Sequence, residues 1–226
     1  MPALSRRLLA EAFGTATLIF FGAGAILTNN YPKAGFGLLG IALAHGIALA
    51  LGVTATMNVS GGHLNPAVTL GMLAVKRIDA KAAAGYILAQ LAGASLAALA
   101  LKLLLPSGVT KVMNLGAPSI AATVTIGQAT AIEAVLTFFL MSAVMGTAVS
   151  AAAPKVAGFG IGLMLFIGIL IGGPLTGAAL NPARAFGPAL VAGHWVGHLA
   201  YWIGPVVGAL VAAFLWEKLL FPKATD

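Results

Sequence analysis

The residues best suited to act on a solute are two copies of one tripeptide, Asn65-Pro66-Ala67 and Asn181-Pro182-Ala183, with a single cation, Arg184, directly after the second. Asparagine is a strong helix N-cap, and proline suits the first helical position. Each tripeptide therefore predicts a helix start. A helix N-terminus carries roughly half a positive charge, and the asparagine side chain adds amide N–H donors. Two such ends brought together would donate hydrogen bonds to a passing oxygen and repel cations. That chemistry fits a neutral solute with lone pairs and opposes protons and metal ions. At average residue usage, two copies in a chain of this size arise roughly once in a thousand cases. Arg184 lies in an apolar segment, where a charge is costly and points to function.

Two carboxylates share that setting. Glu11 and Glu133 each open an apolar run. A buried charge needs hydrogen-bonded partners, so each glutamate is either a proton carrier or an anchor for loop N–H groups. Their matching places in the two halves of the chain favour anchors. Other chemistry is thin. There is no cysteine, which excludes disulfides and thiolate ligands. His194 and His198 are spaced i,i+4, but the pair reads as the entry to a helix rather than a metal site. No metal and no cofactor are expected. No Ser/His or Asp/Asp constellation and no His-Glu-x-x-His occurs in the apolar segments, so an enzyme is not expected. The net charge of +7 is spread over segment ends with no long basic run, which excludes nucleic acid as a partner.

The elements that must position these residues follow from composition. The chain has 226 residues, 60% hydrophobic and 8% charged. Soluble domains carry about 25% charged residues, so this chain must turn apolar surface toward a lipid bilayer. Gaps between charges predict six membrane helices, near 8–28, 38–57, 82–104, 128–150, 157–174 and 198–219. The apolar pieces 65–75 and 181–191 are left over. Each would be about 16 Å long as a helix, roughly half of a hydrocarbon core of about 30 Å. They read as re-entrant half-helices that stop at the midplane. The expected fold is an all-α membrane protein of six transmembrane helices plus two re-entrant half-helices. It forms a single transmembrane channel domain, 1–226, with inverted repeats about 1–107 and 125–226. Three spans per half invert the second half, and such repeats place their site at the midplane.

Arg6, Arg7, Lys76, Arg77, Lys81, Lys155, Lys218 and Lys223 fall on one side of this arrangement, and Lys33, Lys102 and Lys111 on the other. The excess predicts both termini in the cytoplasm. The localisation expected is an integral protein of the cell (plasma) membrane. A passive channel is the first reading. A coupled transporter also shows inverted repeats and broken helices, but it needs ionisable groups that bind a coupling ion. Besides His45, only Glu11, Glu133 and Arg184 are expected at membrane depth. A purely structural junction protein of the same fold is a further alternative.

The segments Ser60-Gly61-Gly62-His63-Leu64-Asn65-Pro66-Ala67-Val68-Thr69 and Thr176-Gly177-Ala178-Ala179-Leu180-Asn181-Pro182-Ala183-Arg184 resemble the two signature loops of the aquaporin (major intrinsic protein) family. The resemblance covers essentially the whole chain. It implies a right-handed bundle of six helices and two half-helices, a homotetramer with one pore per subunit, and a pore centre at Asn65 and Asn181. Electrostatic exclusion of cations is a general property of such channels. Counting from the asparagines as the family does gives a selectivity filter of His45, Ile169, Ala178 and Arg184, and His63 becomes a loop support beside Glu11 and Glu133. Strict water channels of the family carry Phe and His at the first two filter places. This chain is instead similar to the plant tonoplast intrinsic branch, which Gly172-Gly173-Pro174-Leu175-Thr176-Gly177-Ala178-Ala179 also resembles. The resemblance implies a channel for water and, as in some members of that branch, for ammonia, hydrogen peroxide or other small neutral solutes. A glycerol facilitator is the alternative. Facilitators tend to carry Asp and a basic residue where this chain has Ala185 and Ala189, and Tyr201-Trp202 is similar to the aromatic pair of water channels. With no cysteine, mercurial block is not expected.

Overall fold

The computed structural model describes residues 2–31, 34–150 and 156–222. Lys33, Lys155 and Lys223, counted above for orientation, lie outside the described residues. Among these residues all regular structure is helical. Six helices are long and apolar enough to cross a membrane: α1 (Leu4–Asn29), α2 (Gly37–Ser60), α4 (Ala80–Leu104), α6 (Ile126–Val144), α7 (Ala157–Thr176) and α9 (Ala200–Leu215). Two short helices, α3 (Pro66–Ala74) and α8 (Pro182–Ala192), stand where the half-helices were expected. The last turns of the α6 and α9 spans widen, with Ser150 N–H reaching Met145 and Phe221 N–H reaching Trp216. The connection after α4 carries a short helix, α5 (Ser107–Val112), and a tight turn at Asn114–Gly116.

Sequence chemistry explains where these helices stop. Asn65 and Asn181 have extended backbones, and each side chain accepts the N–H two residues on. Asp79 caps α4 by accepting Ala82 N–H. Thr125 and Gln128 bond reciprocally at the start of α6. Gly61 and Gly177 end α2 and α7 at φ 92° and 78°, a left-handed conformation natural to glycine.

Packing sorts the residues by size. Leu9, Phe13 and Phe21 on α1 and Leu88, Leu96 and Leu103 on α4 point outward. Glycines stand at the closest helix contacts. A Cβ on Gly93 would collide with the Ala12 carbonyl, and one on Gly208 with the Ala134 carbonyl. These glycines let α4 close on α1 and α9 close on α6. Membrane helices associate through such close backbone approach, because lipid supplies no hydrophobic drive between them.

Candidate functional site

The two re-entrant loops, 60–65 and 176–181, are each hung on one glutamate. Glu11 is fully buried, and its carboxylate accepts the N–H groups of His63 and Leu64 at 3.0 and 2.7 Å, the Ser60 hydroxyl at 2.6 Å and the Gln90 amide at 2.8 Å. Glu133 is equally buried. It accepts the N–H groups of Ala179 and Leu180 at 2.9 and 2.8 Å and the Thr176 hydroxyl at 2.7 Å. A tyrosine braces each loop from outside: Tyr86 donates to the Ser60 carbonyl and Tyr201 to the Thr176 carbonyl. Sequence reasoning missed Tyr86. Its signal was present, because Tyr86 and Tyr201 are 115 positions apart and the asparagines 116.

These anchors hold strained backbone. Leu64 and Leu180, each just before an asparagine, have φ of 51°. A left-handed non-glycine residue costs about 1–3 kcal/mol and persists only where its surroundings enforce it. The strain serves the next contact. Asn65 Nδ2 donates to the Leu180 carbonyl at 2.9 Å, and Asn181 Nδ2 donates to the Leu64 carbonyl at 2.8 Å. The two loops are thus cross-linked through the residues that cap α3 and α8. Each amide has two hydrogens. One is used in the cross-link, and the second remains for the lumen that both asparagines line.

That lumen is narrow. It leaves about 10 Å³ open to the centres of water-sized molecules, on the scale of the 10–15 Å³ needed for one water. His45 and Arg184 line it on one side of the asparagines, and Val68, Val144 and Ile161 contribute apolar wall. Arg184 is buried, donates through Nη1 to the Gly116 carbonyl at 2.8 Å, and places Nη2 3.3 Å from His45 Nε2. The His45 Nδ1 lies 2.8 Å from the Ile41 carbonyl, which only a protonated Nδ1 can satisfy. Nε2 therefore faces the guanidinium as an acceptor. The ring sits over Gly22, where a Cβ would come within 2.5 Å of it.

The structure brings together Asn65, Asn181, His45, Arg184 and His63 along one lumen. Ile169 and Ala178 are buried, but neither is among the residues lining it; Leu165 and Ala179 are. His63 combines two positions. Its N–H is held by Glu11, and its ring both bonds Thr69 at 3.1 Å and lines the lumen. Thr69 donates its own proton to the Asn65 carbonyl, so it accepts from His63 Nδ1 and from Gln90. Gly116, which holds Arg184, was not foreseen; it lies in a loop with no counterpart in the other half. No group of three or more His, Cys, Asp or Glu residues able to hold a metal occurs among the described residues.

Paired asparagine-capped half-helices, each loop hung on a buried glutamate, match one known pattern along nearly the full chain: the family model described as major intrinsic protein covers residues 1–216. The chain belongs to the major intrinsic protein family. Among its relatives, Aquaporin TIP4-4 of Zea mays is 41% identical over 96% of this chain and 88% of its own length. Aquaporin-6 of Rattus norvegicus is 38% identical over 97% of this chain and 78% of its own length. The solved aquaglyceroporin of Plasmodium falciparum superposes with a TM-score of 0.86 at 24% identity, covering 96% of this chain and 97% of that one. That likeness establishes the aquaporin fold. As a major intrinsic protein with six apolar spans, the chain is an integral membrane protein of a channel family, not an enzyme.

Proposed function

We propose that this protein is a passive channel for water, also open to ammonia or hydrogen peroxide, that excludes protons and ions. The observation that carries the reading is the cross-linked pair Asn65 and Asn181, lining a lumen with about 10 Å³ open to the centres of water-sized molecules and with an amide hydrogen free on each side chain. A water there accepts from an asparagine, between two helix N-termini whose partial positive charge opposes a cation. Arg184 and His45 form the outer constriction: a fixed cation with directed donors beside a neutral acceptor. Ile169 and Ala178, both buried, complete the same selectivity filter. Glu11, Glu133 and His63 are loop supports. The names of the relatives Aquaporin TIP4-4 and Aquaporin-6 support a water-conducting assignment. The chain is one channel domain of two inverted repeats, about 1–107 and 125–226, assembled as a homotetramer. It sits in the cell (plasma) membrane with both termini cytoplasmic.

The test is stopped-flow shrinkage of proteoliposomes under an impermeant osmolyte, with glycerol and ammonia gradients in parallel. Fast water flux with low activation energy and slow glycerol entry is the expected result. Fast glycerol entry would assign a glycerol facilitator. Water flux no greater than in empty liposomes would overturn the channel reading.

A further inference from the structure

We propose that a basic cavity beside the start of α1 binds the phosphate of an anionic phospholipid headgroup. The cavity, about 420 Å³, is formed by Arg7 on α1, Leu73 near the end of α3, and the turn Lys76-Arg77-Ile78-Asp79 that leads into α4. It is separate from the lumen. Arg7, Lys76 and Arg77 face it with Asp79, and the carboxylate is already engaged as the cap of α4, accepting Ala82 N–H at 2.9 Å.

Each cation is prepared differently. Arg7 is pinned: its Nε donates to the Tyr86 hydroxyl at 2.7 Å, and the guanidinium lies 5.1 Å from the ring centre. Its two terminal nitrogens have no protein partner among the described residues. Lys76 has a φ of 59°, a conformation where glycine would be relaxed. Its ammonium has no partner among the described residues. This bend is the C-terminal cap of α3, with Lys76 N–H reaching the Leu73 carbonyl and Arg77 N–H the Met72 carbonyl, and it leaves the Lys76 side chain exposed beside the cavity. Arg77 is shared with Glu217, at 2.8 and 3.3 Å. Even with Asp79 and Glu217 both ionised, the cavity keeps a positive excess.

Depth argues for a lipid rather than a free anion. Leu9 is 71% exposed and begins the apolar outer surface of α1. It lies two residues beyond Arg7, about 3 Å further along the helix. The three cations therefore sit at the level of headgroups. Leu73 and Ile78, both half-buried, supply apolar wall for the glycerol and upper chain. Basic pockets at this level attract anionic lipids, and charge-assisted hydrogen bonds to phosphate are the strong ones.

The probes are phosphatidic acid, phosphatidylcholine with the same chains, and inorganic phosphate, with retained adducts counted by native mass spectrometry of the detergent-purified full chain. The wild type is expected to retain phosphatidic acid in preference to phosphatidylcholine. Lys76→Gly, which relaxes the turn while removing the charge, is expected to weaken that retention about fivefold, the factor for one basic contact at a membrane surface. Lys102→Gln, which removes a charge at the far end of α4, is expected to leave it unchanged. Equal loss in both variants, or no preference in the wild type, would overturn the proposal. So would displacement of the lipid by an equal concentration of inorganic phosphate, which would assign the cavity to a free anion.

Discussion

At one end of the lumen Arg184 reaches His45. At the other, 116 positions away in sequence from each, stand Val68 and Ile161. The middle of the lumen is duplicated: Leu18 pairs with Leu140, Leu49 with Leu165, and Asn65 with Asn181. The anchors are duplicated too, Glu11 with Glu133 and Tyr86 with Tyr201. What the two halves share therefore holds the loops, and what they do not share sets the ends of the lumen. Gly22 shows how the difference is built. Its counterpart is Val144, and only the missing side chain leaves room for the His45 ring. The first half spends its polarity elsewhere, on Gln90, His63 and Thr69 around Glu11, where the second half has Pro205, Ala179 and Ala185.

The comparison breaks most visibly if the shared anchors are removed. Glu133→Ala would strand the N–H groups of Ala179 and Leu180. At about 1–3 kcal/mol for each buried unpaired group, the loss is about 2–6 kcal/mol, read as a lower melting temperature in detergent. Glu11→Ala is expected to cost at least as much, since Gln90 also loses a partner. Indifference to either change would show that the carboxylates do not carry the loops.

Making the ends alike is the next test. Arg184→Val copies Val68 onto the other half. Water flux is expected to persist, while glycerol entry rises about tenfold, the scale of one altered contact in a selective site, and a cation conductance becomes measurable in planar bilayers. Unchanged exclusion of glycerol and cations would place selectivity at the asparagines alone.

Cysteine scanning sharpens the outline of the constriction. The native chain has no cysteine, so mercurials should leave flux unchanged. Ala179→Cys is expected to confer block, because residue 179 lines the lumen, and Ala178→Cys to confer little. The reverse pattern would move Ala178 to the solute face.

The smallest effect concerns His198, just before α9. Burial, followed by the neighbouring His194, lowers its pKa below the ordinary value, and its Nε2 accepts from Trp202 Nε1 at 3.2 Å. The unfolded chain then binds the proton more readily. The stability His198 contributes is present above about pH 6.5 and is lost as pH falls below it. His198→Gln should flatten the acid limb of melting temperature by about 1 °C or less. An unaltered limb would remove His198 from the account.

The spans were legible because long apolar runs with few charges can only enter or cross the bilayer; every expected boundary lies within four residues of the observed helix. The half-helices were legible because Asn-Pro is local chemistry, fixed by a cap and a ring. Glu11 and Glu133 were legible as a pair because a buried charge must be answered, though which N–H groups answer it is tertiary. Which way Ala178 and Ala179 face could not be read by counting, because Ala178 and Leu180 have φ of 43° and 51°, left-handed backbone that no periodicity announces. The Gly116 carbonyl that holds Arg184 was hidden for a related reason. It follows Asn114 and Leu115, both left-handed, and no periodicity or repeat announces such a turn.

The crossed bonds from Asn65 to the Leu180 carbonyl and from Asn181 to the Leu64 carbonyl have a mechanical meaning. They tie the halves together at the midpoint, so a displacement of either loop pulls on a carbonyl of the other and, through it, on the other loop's glutamate. The two mouths lack such crossed ties: Arg184 hangs from a loop carbonyl at one, and Arg77 is paired with Glu217 near the other.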